Sequence, residues 1–228
     1  MLNTHCFLNG LRIACHKLHS SRFALKGWFV GLLIGLSGVA HASVGGTLLV
    51  VGDSLSAEYG LQRGSGWVTH ITEKVKQIHP NITVVNASIS GDTTSGGRAR
   101  LTPLLTEHKP RWLVLELGAN DALRGLSLKA MRANLTAMIQ TAQKAGAKVL
   151  LVGVQVPPNY GARYTQEFGE SFQTVANETG AALVPFLLRG VADVPDAMRW
   201  FQDDRIHPNE AAQPILAENV WPALQKLF

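Results

Sequence analysis

The chain has 228 residues, 46% of them hydrophobic and 16% charged, with a formal net charge of +5. That is enough apolar material for one domain with a sizeable core. Four basic residues and no acid precede position 43, which leaves 17 basic and 16 acidic residues for the rest of the chain. The basic balance therefore belongs to the leader and excludes a nucleic-acid partner.

The leader comes first along the chain. Lys26 is followed by the apolar stretch GWFVGLLIGLSGVA and by Ala40-His41-Ala42. A positive segment, a short apolar segment and a small-residue site form the pattern of a secretory signal cleaved after Ala42. The run is shorter than the ~18 apolar residues of a spanning helix, so no stable membrane anchor is expected after cleavage. Ser43 rather than a cysteine follows the cut, so lipid attachment is not indicated. The expected organisation is a signal peptide over 1–42 and one domain over 43–228, periplasmic or secreted. Cys6 and Cys15 both lie in the leader. The mature domain would thus use no disulfide, thiolate metal site or cysteine nucleophile.

Beyond residue 43, short apolar runs alternate with longer segments of helical spacing. TLLVV (47–51) predicts a strand that breaks at Gly52-Asp53-Ser54. GWVTHITEKVKQI (66–78) puts Trp67, Ile71, Val75 and Ile78 on one helical face. ITVVNAS (82–88) and RWLVLEL (111–117) predict the second and third strands. LKAMRANLTAMIQTAQKAG (128–146) places Leu128, Met131, Leu135, Met138 and Ala142 on one face, with Gly146 ending it. KVLLVGV (148–154) predicts a fourth strand, a helix covers 164–179, and ALVPF (182–186) gives a short fifth strand. A last helix starts near Asn209 and carries Ile215, Leu216, Val220, Leu224 and Leu227, bent by Pro214 and Pro222. This alternation predicts an α/β fold with a parallel sheet covered on both faces.

In such a sheet the carboxyl ends of all strands share one edge, where ligands bind. Three strands end there in polar, glycine-containing turns: Gly52-Asp53-Ser54, the NASISGDT segment with Gly91 and Asp92, and Gly118-Ala119-Asn120-Asp121. Each turn alone is an ordinary turn or helix cap. Ser54 thus has two readings, the cap of a following helix or a nucleophile at a strand end.

A serine nucleophile needs a base, and the base needs a group that holds its tautomer. His70, His79 and His108 fall in or just after helical segments and read as surface histidines. His207 stands in QDDRIHPNE before the last helix, three residues after Asp204. In a tight loop that spacing lets the carboxylate accept one imidazole N–H while the other ring nitrogen points away. The plain alternative is a turn into the last helix, with Pro208 and Asn209 as its cap. Acyl transfer also needs donors for a tetrahedral oxyanion. The N–H groups of Ser54 and Gly91 and the side-chain amide of Asn120 suit that task, and glycine at 91 permits close backbone approach. The loops 156–164 and 191–201 bring Tyr160, Tyr164, Trp200 and Phe201. Of these Tyr160, Trp200 and Phe201 are expected to bind substrate.

Taken together, GDSLS, VVNASISGDTTSGGRARL, LELGANDALRG, VPPNYGARY and DDRIHPN resemble the SGNH (GDSL) hydrolases. The likeness runs in order over nearly the whole mature chain. It looks closest to the bacterial periplasmic acyl-CoA thioesterase I, lysophospholipase and arylesterase group. The resemblance implies a three-layer α/β/α sandwich of flavodoxin-like order with about five strands. It also implies Ser54 as nucleophile, His207 as base, Asp204 as orienting acid, and an oxyanion hole of Ser54, Gly91 and Asn120. No metal and no cofactor are implied. The expected substrate is a small acyl ester, thioester or lysophospholipid, and the expected state is a monomer. Two positions depart from the subgroup: Ala119 where a second glycine is expected, and Glu58 where a small residue is common. Glu58 is expected to put a charge near the mouth, against anionic substrates. The motif is not the G-x-S-x-G elbow, since the fifth residue is Ser56.

Two readings compete. In a metal-dependent phosphohydrolase, Asp53, Asp92, Asp121 and Asp204 would gather on the same edge around Mg²⁺. A non-catalytic binding domain on the same fold would have no use for a serine, a histidine and an aspartate in register.

Overall fold

The five runs expected as strands pair side by side in one sheet. The structure, a computed structural model, describes residues 45–228. Lys26, both cysteines and the cleavage site after Ala42 lie outside the described residues. The strands are β1 (Gly46–Gly52), β2 (Ile82–Asn86), β3 (Trp112–Glu116), β4 (Lys148–Val152) and β5 (Ala182–Val184). Their order is β2-β1-β3-β4-β5, and every pairing is parallel. This is the flavodoxin-like arrangement, whose crevice opens outside the carboxyl ends of β1 and β3. In register, Gly52 at the end of β1 sits beside Glu116 at the end of β3.

The helices are α1 (Trp67–Ile78), α2 (Thr94–His108), α3 (Ala119–Leu123), α4 (Leu128–Lys144), α5 (Ala162–Thr179) and α6 (Gln213–Gln225). α1 packs against α6, while α2 and α5 pack against α4, which gives the expected α/β/α layers. α4 buries Leu128, Met131, Leu135, Met138 and Ala142, as its spacing predicts, and Ser127 caps it by accepting from the Ala130 N–H at 3.3 Å. α1 buries Trp67, Ile71 and Val75. Ile78, placed on the same face by sequence, is 51% exposed. It is the last residue of the helix, where the chain already turns through His79 towards β2. In the last helix Pro214 sits in the first turn, where a missing N–H costs little, while Pro222 lies inside.

α2 has no counterpart in the apolar pattern. Its buried residues are Thr94, Gly97, Leu101 and Leu105, and it contains Pro103. Glycine costs a helix about 1 kcal/mol per residue and proline more, so packing rather than propensity forms it. A Cβ at Gly97 would run into Leu117, and one at Gly96 into the Asp92 carboxylate. The glycine pair sets how closely α2 approaches the sheet, and with it the position of the loop before it.

Candidate active site

Ser54 follows directly on β1. The chain then turns through residues 54–60 without forming a regular helix, and α1 begins only at Trp67. The capping-type bond in this turn belongs to Asp53, whose Oδ1 accepts from the Leu55 N–H at 3.0 Å. Its carbonyl accepts from Ser56 and Ala57 at 3.2 and 2.9 Å. The helix-cap reading of Ser54 is therefore replaced by a strand-end turn that leaves the hydroxyl free for another partner.

That partner is His207. A small hairpin carries it: Phe201 bridges Pro208 antiparallel, Gln202 N–H donates to the His207 carbonyl at 2.8 Å, and Asn209 N–H donates to the Trp200 carbonyl at 2.8 Å. At its tip Arg205 is left-handed, with φ 58°, which costs a non-glycine residue of order 1 kcal/mol. The turn lets Asp204 Oδ1 accept from the N–H groups of Ile206 and His207 at 2.9 and 3.0 Å. Asp204 Oδ2 lies 2.6 Å from His207 Nδ1, and His207 Nε2 lies 2.8 Å from Ser54 Oγ. An ionised carboxylate only accepts, so Nδ1 carries the proton and Nε2 is left to accept from the serine. Burial works against the Asp204 charge, but the His207 N–H, the His207 ring and the Ile206 N–H outweigh it and hold the pKa at about 2, below 3.8. The Tyr59 ring covers the imidazole with centroids 4.4 Å apart. Gln202 Nε2 ties the two loops together by donating to the carbonyls of Tyr59 and Pro208 at 2.9 and 3.1 Å. The cap function of Asn209 is also present, since its Oδ1 accepts from the Ala212 N–H at 3.3 Å. The hairpin serves both readings of the sequence.

The three expected donors lie just beyond the carboxyl ends of β1, β2 and β3. Among the described residues, no acceptor is paired with the backbone N–H of Ser54 or of Gly91. Gly91 has φ 78°, a conformation that disfavours a side chain. Its loop is pinned twice, by Arg124 Nη2 donating to the Gly91 carbonyl at 2.7 Å and by the Asp92–Arg100 ion pair at 2.7 Å. Asn120 lies in α3, and its Nδ2 donates to Asp53 Oδ2 at 3.1 Å. α3 is preceded by Gly118, φ 128°, where a Cβ would crowd Met131 and Phe172. Asp121 fastens it to α2, accepting from the Thr94 N–H at 2.8 Å and the Thr94 hydroxyl at 2.6 Å.

The four strand-end acids do not converge. Asp53 serves Leu55 and Asn120, Asp92 pairs with Arg100, Asp121 caps α2, and Asp204 holds His207. Among the described residues, no three of His, Cys, Asp and Glu gather in a metal-binding group. Glu58, expected to put a charge near the mouth, has its carboxylate engaged by its own loop. With φ 59°, it folds back so that its carboxylate accepts from the Gly64 N–H, the Gly66 N–H and Thr69 Oγ1 at 2.9, 2.9 and 3.0 Å. Burial opposes its charge, but these bonds and Arg63 lower its pKa. It closes the 58–66 loop and caps α1, which has no cap from its own N-cap residue. Ala119 is half-buried against the core. Tyr160 is exposed beside Tyr164, with ring centroids 6.2 Å apart. Trp200 and Phe201 are half-buried in the first arm of the His207 hairpin, packed against the core.

Sequence reasoning missed Glu116, which looks like one more residue of an apolar strand yet is fully buried. It also missed the exposed apolar side chains of Tyr59, Ile89, Leu126 and Ile206 outside the helices and strands and of Leu123 at the end of α3. Their isolation in turn-rich segments hides them from any periodic pattern.

Residues 50–214 match the model of the GDSL-like Lipase/Acylhydrolase family. The chain is 52% identical to Esterase TesA of Pseudomonas aeruginosa, over 80% of this chain and 89% of that one. It is 41% identical to Thioesterase 1/protease 1/lysophospholipase L1 of Escherichia coli K12, over 82% and 87% of the two chains. Among solved structures it is similar to the psychrotrophic esterase EstA of Pseudoalteromonas sp., inhibited by monoethylphosphonate. That similarity has a TM-score of 0.73 and 40% identity, over 79% of this chain and 97% of that one.

Proposed function

This chain belongs to the GDSL-like lipase/acylhydrolase family and hydrolyses ester bonds, and we propose that it does so as an exported serine esterase with Ser54 as nucleophile. The observation that carries this reading is the unbroken chain from Ser54 Oγ through His207 to Asp204, with contacts of 2.8 and 2.6 Å. Ser54 Oγ attacks the acyl carbonyl carbon while His207 Nε2 takes its proton, and Asp204 stabilises the imidazolium. The carbonyl oxygen gathers negative charge against Ser54 N–H, Gly91 N–H and the Asn120 amide. Collapse breaks the bond to the leaving oxygen or sulfur, which receives the proton from His207. Water, activated by the same imidazole, then attacks the acyl-serine and releases the carboxylic acid.

Two carbonyl-type reactions with different leaving groups, oxygen and sulfur, fit one such site, in keeping with the esterase and thioesterase names of the relatives. The phosphonate inhibition of the Pseudoalteromonas esterase supports a serine nucleophile here, because phosphonates trap activated serines. We assign Tyr160, Trp200 and Phe201, with exposed Tyr59, Leu123 and Leu126, to the apolar lining that receives the acyl chain. Lysophospholipids and other acyl esters outside the inner membrane are the substrates that match such a lining and the leader over 1–42. The enzyme acts as a monomer. Ser54→Ala should abolish p-nitrophenyl ester hydrolysis while the circular dichroism spectrum stays unchanged; turnover near wild type would reject the reading. An acyl-length series with ester and thioester leaving groups ranks the substrates.

A further inference from the structure

Directly beneath the proposed oxyanion hole lie two carboxyl groups that the reaction does not use. Asp53 and Glu116 are both 0% exposed. Glu116 is the register partner of Gly52, and a Cβ on Gly52 would lie 2.9 Å from its Oε2. Only a glycine there leaves room for the carboxyl group. The two acids differ in what they touch. Both oxygens of Asp53 accept from N–H donors, Leu55 N–H at 3.0 Å and Asn120 Nδ2 at 3.1 Å. Glu116 Oε2 accepts from Ser56 Oγ at 2.7 Å, while its buried Oε1 has no partner among the described residues. Two carboxylates cannot both be charged in so dry a place. The bonding decides where the proton stays: on Glu116, whose Oε1 has no partner and whose charge the Ser56 hydroxyl and the Asp53 N–H only partly support, and not on Asp53, where an O–H would face a donor on either oxygen.

We propose that Asp53 is the positioning residue that fixes the Asn120 amide, with Glu116 holding the one proton of the pair so that Asp53 can accept twice. The inference rests on the assignment of Asn120 to the oxyanion hole. An asparagine amide has a donor end and an acceptor end of nearly equal shape. Because ionised Asp53 only accepts, it must face Nδ2. One hydrogen of that NH₂ group is thereby spent on Asp53, and the second is left for the substrate oxyanion. Were the amide reversed, its oxygen would oppose the oxyanion. An asparagine at position 53 has one acceptor and one donor, so it cannot satisfy Leu55 and Asn120 together.

The electrostatics agree. Burial is the main cause that pushes Asp53 up to about 7, against the bonds from Leu55 and Asn120, with the charges of Asp92 and Asp121 adding to it. Burial and the Asp53 charge push Glu116 well above the ordinary range. Arg100, which donates to the Gly52 carbonyl beside the pair, is engaged with Asp92 and with the Ala87 carbonyl as well. A folded-state pKa above the unfolded value means that stability falls as pH rises from about 3.8 through about 7. The charge at 53, fully present only above about pH 7, thus weakens the fold where it forms.

The test is a comparison of Asp53→Asn, Glu116→Gln and Asn120→Ala with wild type and Ser54→Ala on one p-nitrophenyl ester. Asp53→Asn should lower kcat about 100-fold, the cost of one oxyanion donor, with KM within about threefold and a melting temperature at pH 8 no lower than wild type. It should add nothing in the Asn120→Ala background. Glu116→Gln should keep kcat within about threefold, since a neutral group replaces a neutral group. Wild-type kcat in Asp53→Asn beside an inactive Ser54→Ala overturns the positioning role alone. Activity retained in Ser54→Ala overturns the serine reading instead. A folded Glu116→Gln as slow as Asp53→Asn overturns the placement of the proton. If Asp53→Asn does not fold, the pH profile of kcat decides. Wild type should show an ionisation near 7 that is missing in Asn120→Ala, and identical profiles in the two overturn the proposal.

Discussion

Two aspartates stand on either side of Ser54, and their surroundings drive them in opposite directions. Asp53, under the strand end, is wholly buried, and its pKa is raised to about 7. Asp204, on the late hairpin, has a side chain 35% exposed, and its pKa is lowered to about 2. Residue type is the same, so the difference lies in what each carboxyl group has in place of water. Asp204 keeps some solvent and gains three N–H donors, whereas Asp53 gains two donors and loses solvent entirely. The exposed one is the cheap charge, held permanently for the histidine. The buried one is the costly charge, kept where geometry matters more than stability.

The comparison can be broken from either side. The largest effect should come from the hairpin: His207→Ala removes the base paired with Ser54 Oγ and should cut kcat by about 10⁴-fold or more, measured on a chromogenic ester. Asn120→Ala, on the strand-end side, should cost about 100–1000-fold in kcat with little change in KM. Asp204→Asn keeps a carbonyl for the backbone donors but loses the fixed tautomer, and should fall between these two, at roughly 10³–10⁴-fold. Its pH signature is specific. The folded pKa of Asp204 lies below the unfolded value, so its stabilisation is present above pH 3.8 and is lost as pH falls through about 2. Acid unfolding of Asp204→Asn should accordingly show a weaker pH dependence over that window. The smallest effect should come from Glu58→Gln. It weakens a clamp and a cap, costs about 1 kcal/mol in denaturant unfolding, and leaves the ratio of rates on anionic and neutral esters unchanged.

Much of this site was legible in the sequence because its parts are local. Gly52-Asp53-Ser54 and Asp204-x-x-His207 each fit within one turn, and parallel strands bring strand ends to one edge. The sheet and most helices announced themselves through apolar period. α2 did not, because its buried face begins with Thr94 and Gly97 ahead of Leu101 and Leu105 and the helix contains Pro103, so tertiary packing overrides propensity. The partners of Glu58 were hidden for a related reason. Its left-handed backbone turns the carboxylate back onto residues eight and eleven positions on, and no spacing rule foretells that fold-back. Glu116 stayed hidden because a strand buried on both faces reads as apolar whatever its last side chain is. Its burial depends on Gly52, a neighbour 64 positions away that meets it only in register.

The most direct measurement of the central claim is labelling with a fluorophosphonate followed by peptide mass spectrometry and an esterase assay on the same sample. The account predicts one adduct, on Ser54, with esterase activity lost in proportion to its occupancy and no labelling of His207→Ala at the same exposure. Inactivation with the adduct on another residue, or full activity with Ser54 quantitatively modified, would contradict it.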